Sequence, residues 1–95
     1  MLILREVPEI TDDRFWEHGS GGNFVLWLAD VGSRLVTVRI STAALSEYDG
    51  ERFAIDTEKT EAALKRHRDL IQSLAQAKYV EGDSVVTIDK FPARL

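Results

Sequence analysis

The strongest pattern along the chain is a pair of apolar runs, FVLWLAD at residues 24–30 and RLVTVRI at residues 34–40. Both are rich in the β-branched, aromatic and aliphatic residues that suit a pleated, half-buried surface. Gly32-Ser33 between them is a Gly-first two-residue loop of the kind that makes a type II′ turn. The spacing predicts a hairpin in which Val31 opposes Arg34. Val25, Trp27 and Ala29 then share one face with Val36, Val38 and Ile40, and that face is wholly apolar. The other face carries Phe24, Leu26, Leu28 and Leu35, interrupted by Thr37 and Arg39. An antiparallel sheet with one wet face shows clean alternation; residues 24–29 do not alternate. The first strand is therefore expected to be shielded on both faces, the second time by another part of this chain or by a partner.

The remaining pattern is simpler. LILREV at residues 2–7 reads as a short strand ended by Pro8, and residues 11–23 read as loop with Phe15 and Trp16 as an apolar anchor. Ser41 can cap a short helix at about 42–49 that stops near Gly50. Asp56 or Thr57 can cap one long helix at about 57–81, ending at Gly82, with Glu58 and Glu61 at its positive end. Ala63, Leu64, His67, Leu70, Ile71, Leu74 and Ala75 form its apolar stripe at helical spacing, expected to cross the hairpin face that holds Trp27. SVVTID at residues 84–89 predicts a final strand with Val86 and Ile88 on one side and Val85 on the other. The sum is a single domain over 1–95 of the α+β class: two layers, a small antiparallel sheet packed against one long and one short helix.

Ile40-Ser41 before the short helix (ISTAAL, 40–45) and HRDLIQSLAQAKYVEG at 67–82, followed by a short strand, resemble a family of small bacterial proteins catalogued as domain of unknown function 1488. The resemblance spans about residues 24–90. It implies a compact α+β fold in the bacterial cytoplasm and supplies no activity. The chain departs from the pattern in having no cysteine after the hairpin.

Composition narrows the chemistry. The 95 residues suffice for one domain, and 44% hydrophobic with 29% charged residues argues for a folded chain. Zero cysteines exclude disulfides, thiol nucleophiles and cysteine-ligated metals and fit a reducing cytoplasm. No stretch reaches the ~18 apolar residues of a membrane span, and MLILREVPEI lacks the basic start and apolar core of a signal peptide. The formal net charge of −4 opposes a general affinity for nucleic acid or anionic membranes. KRHR at 65–68 is the one basic run. Arg66 and Arg68 lie about 160° apart around a helix axis, and residues 57–82 hold five Lys and Arg against four Asp and Glu, so the run reads as a mixed, solvated face.

Two histidines are present. His67 on the stripe is a candidate base or switch, or a boundary residue with a hydrogen-bond partner. His18 lies in a glycine-rich loop. Their separation, with no cysteine and no HExxH, gives no zinc site, and Asp12-Asp13 makes no calcium loop. GSGGN at 19–23 lacks the order of a phosphate loop and is read as a turn into the hairpin. No cofactor is expected, and no catalytic residue is assigned.

Two readings follow. The preferred one is a non-catalytic protein-interaction module, pairing with itself as a homodimer or with an unidentified protein, through Phe24, Leu26 and Leu28. The rival is a small enzyme or anion-ligand-binding domain using His67, Arg68 and Arg39, which requires His67 beside a carboxylate in a cleft. A nucleic-acid role through Lys65–Arg68 ranks behind both.

Overall fold

The computed structural model describes residues 7–12, 14–52 and 56–92, so most of the strand expected at 2–7 lies outside the described residues. They form a four-stranded mixed sheet and three helices: β1 (Trp16–Gly19), a 3-10 turn (Ser20–Gly22), β2 (Phe24–Val31), β3 (Arg34–Ser41), α1 (Thr42–Asp49), α2 (Thr57–Arg66), α3 (Arg68–Lys78) and β4 (Val85–Ile88). The strand order is β1-β2-β3-β4.

The hairpin has the register expected from the sequence, with Val31 opposite Arg34 and Trp27 opposite Val38. Gly32 takes φ +59, as the first position of the turn demands. Val25, Trp27, Ala29, Val36, Val38 and Ile40 are all buried. They join Leu45 of α1, Leu64 of α2, Ile71 and Ala75 of α3, and Val86 and Ile88 of β4 in one apolar cluster. β4 presents its sides as expected, since Val85 is exposed.

α1 is bounded by the residues the sequence marks. The Ser41 hydroxyl accepts from the Ala44 N–H at 3.2 Å, and Gly50 ends the helix in the left-handed region at φ +83. Ser41→Ala is expected to cost about 1 kcal/mol, with Ser41→Gly costing less; chemical denaturation followed by circular dichroism measures both.

Three expectations are corrected. The sheet is mixed, because β4 runs parallel to β3, Thr37 pairing with Val85 and Ile40 with Ile88. A parallel neighbour requires a long crossover, which α1, α2 and α3 provide by returning the chain to the starting end of β3. The expected long helix is two helices, divided at His67 (φ −110, ψ 15) and ending at Lys78, with Tyr79 extended. An unbroken helix would splay consecutive side chains by about 100°; the break lets Arg66 and His67 reach one carboxylate, that of Asp49. Finally, the stretch read as loop holds β1, antiparallel to β2, with Trp16 opposite Trp27 and Gly19 opposite Phe24. GSGGN forms the turn between these two strands, where Ser20, Gly21 and Gly22 take positive φ values of 52, 67 and 95.

The segment before β1 is held from two sides. Glu9 exchanges both backbone hydrogen bonds with Asp30 at the end of β2. From α3, Arg68 donates to the Ile10 carbonyl at 2.6 Å, Gln72 accepts from the Ile10 N–H at 2.8 Å, and Gln76 donates to the Pro8 carbonyl at 3.0 Å. These three residues are four apart and so share a helix face.

Candidate functional site

The pleat sends alternate residues of each strand to the face that points away from the buried apolar cluster. On β2 these are Phe24, Leu26 and Leu28; on β3, Leu35, Thr37 and Arg39; on β1, Glu17 and Gly19; on β4, Val85 and Thr87. Phe15 extends the β1 row, its carbonyl accepting from the Leu28 N–H at 3.0 Å. Among the described residues the buried apolar side chains of α1, α2 and α3 belong to that cluster. Phe15 is 59% exposed, Leu35 58%, Val85 49% and Leu28 39%, four large apolar side chains in water on one surface.

The centre of the face is shaped. Leu26 is half-buried and lies over Gly19; a Cβ on that glycine would sit 3.0 Å from a Leu26 methyl. The Arg39 guanidinium lies over the Phe24 ring, 3.6 Å from its centroid. A concavity of about 340 Å³ opens beside Leu26 and Leu28, lined also by Arg14, Phe15, Trp16, Glu17 and Thr37. With three strand spacings between β1 and β4, the face is about 14 Å wide.

The residues assigned to the rival reading sit in separate places. Arg39 is on the open face. Arg68 is engaged on the Ile10 carbonyl. His67 directs Nε2 at Asp49 Oδ1, 2.7 Å away, and stands edge-on to the Tyr48 ring. Asp49 also accepts a two-pronged contact from Arg66, with Nη2 3.0 Å from Oδ2 and Nε 3.2 Å from Oδ1. The side chains of Asp49 and His67 are 5% and 12% exposed. Burial pushes the Asp49 carboxyl up, but hydrogen bonds from His67 and Arg66 and their charges outweigh it and hold the group below the usual carboxylate range. Three of the four residues in the KRHR run are thus occupied inside the chain. His18, in β1, is half-buried beside Trp16, its Nε2 3.5 Å from the Thr60 hydroxyl.

The sequence pattern marks Phe24, Leu26 and Leu28 but does not place Glu17 and Gly19 on the same surface, because WEHG carries no strand alternation of its own. Asp49 was missed because pairing between α1 and the break at His67 leaves no local spacing. Among the described residues, no cluster of three His, Cys, Asp or Glu side chains could hold a metal ion, and no helix is long and apolar enough to cross a membrane. Comparisons with protein-family models, curated proteins and solved structures give no match.

Proposed function

We propose that this chain is a non-catalytic interaction module that pairs with a second copy of itself through the open face of its sheet. The observation that carries the reading is the set Phe15, Leu28, Leu35 and Val85, exposed around Phe24 and Leu26 with no helix among the described residues packed over them. On this reading the fold is two-layered, helices on one side of the sheet and the partner on the other. Membership in the family of domain of unknown function 1488, through Ile40-Ser41 and the helix after His67, and a bacterial cytoplasmic setting belong to the same proposal. Sheets that bury a second apolar face commonly do so against another sheet about 10 Å away. A face about 14 Å wide and at most ~27 Å long, the span of the eight residues of β2, is small beside the ~800 Å² per partner of a standard stable interface, so the dimer is weak and concentration-dependent.

Sedimentation equilibrium over a concentration series tests the reading. The natural chain is expected to shift from monomer to dimer as it is concentrated, and Leu28→Glu, placing a charge on the exposed part of β2 within the patch, to remain monomeric with its thermal stability within about 0.5 kcal/mol of the parent. A parent that stays monomeric throughout overturns the proposal.

The rival reading has one observation in its favour, His67 oriented by the Asp49 carboxylate, the arrangement a general base requires. Against it, Asp49 is shared with Arg66, and the anion-binding cations Arg68 and Arg39 do not converge on His67. That pairing is better explained as the bolt joining α1 to the α2–α3 break.

A further inference from the structure

We infer that the two copies meet face to face about a two-fold axis running along β2, so that Glu17 of each lies against the partner's Arg39; the inference rests on the self-association proposed above. One row of the sheet carries it. Glu17 pairs with Leu26 on one side and Leu26 with Arg39 on the other, which places an acid, a central leucine and a base in line across three strands. All three point to the open face. Among the described residues, the ion pairs join Arg14 to Asp12, Lys59 to Glu51, Arg66 and His67 to Asp49, and Lys78 to Asp89. Glu17 and Arg39 take no part in them. The Arg39 guanidinium is instead laid over the Phe24 ring, a cation held on an apolar surface with its hydrogen-bonding fork unused by a carboxylate.

Two stacked sheets with aligned strands admit two closed arrangements. In the first the axis runs along β2 and exchanges left for right across the row. Phe24, Leu26 and Leu28 then meet their own counterparts, and Glu17 faces the partner's Arg39 at two equivalent places. In the second the axis runs across the strands and leaves the row in place, so Glu17 faces Glu17 of the partner subunit and Arg39 faces Arg39 of the partner subunit. Isologous pairing requires a self-complementary surface, and like charges brought together at an interface are strongly disfavoured. The ~10 Å between packed sheets is a distance that a glutamate and an arginine span together. The charge order of a single row therefore selects the first axis.

Sedimentation equilibrium on Glu17→Arg, on Arg39→Glu and on an equimolar mixture of the two provides the test. Each variant alone sets like charges against each other at both places and is expected to self-associate on the order of tenfold more weakly than the natural chain. The mixture restores opposite charges at both places and is expected to form a heterodimer about as strong as the natural homodimer. Thermal melts accompany every sample; should Arg39→Glu lose stability with its Phe24 contact, Arg39→Gln replaces it as the partner for Glu17→Arg, with partial recovery expected. If the natural chain does not dimerise, the reading and the inference fall together. If it dimerises but single charge reversals leave the affinity unchanged, or the mixture recovers nothing, the axis is wrong and self-association stands.

Discussion

Replacing Trp27 with alanine is expected to remove about 3–5 kcal/mol of folding stability, a large share of the 5–15 kcal/mol typical of a small domain. Trp27 is fully buried at the middle of β2, pairs with Val38 and Trp16, and packs among the side chains that α2, α3 and β4 contribute to the core. Its indole N–H donates to the Asp12 carbonyl at 3.1 Å, so the truncation also removes a hydrogen bond that ties the segment entering β1 to the core. Trp27→Phe keeps most of the packing and loses that hydrogen bond, worth about 1 kcal/mol. Urea denaturation followed by far-ultraviolet circular dichroism separates the two variants; a cost below about 1 kcal/mol for the alanine variant would contradict the placement of Trp27 at the centre of the core.

Asp49→Ala is expected to cost about 2 kcal/mol, less than the sum of its charge-assisted hydrogen bonds because Arg66 is half exposed and recovers hydration. The loss has a pH signature. The Asp49 carboxyl is held below its ordinary value of 3.8 by His67 and Arg66 in spite of burial. A group whose folded pKa is depressed contributes stability that is complete above its unfolded value and disappears as pH falls through the folded one. The difference between the parent and Asp49→Ala should thus be largest near neutrality and shrink as the solution is acidified below the ordinary carboxylate range. Equilibrium denaturation at a series of pH values reads this out, and a difference that grows on acidification would refute it.

Much of the fold was legible because its signals are local. The faces of β2 and β3 follow from strict period-two placement around a Gly-first turn, and α1 from Ser41 and Gly50 at its ends. The elements missed depend on contacts distant in sequence. β1 is four residues, WEHG, with no β-branched side chain, and it is a strand because β2 offers an edge on which Trp16 and His18 turn inward. The break at His67 leaves the apolar stripe intact, since Leu64, Ile71 and Ala75 are still buried; what fixes it is Asp49, eighteen residues earlier. The parallel direction of β4 likewise depends on where three helices deliver the chain. For the candidate surface, Phe24, Leu26 and Leu28 were visible as a run without alternation, whereas the acid–leucine–base row emerges only when three strands are set side by side.

Backbone amide chemical shifts followed from dilute to concentrated protein test the central claim most directly. Self-association through the open sheet face predicts concentration-dependent shifts gathered on Glu17, Phe24, Leu26, Leu28, Thr37, Arg39 and Val85, with Leu64, Ile71 and Ala75 of the helical side unchanged. Spectra that do not change on concentration, or shifts that gather on the helices instead, would contradict it.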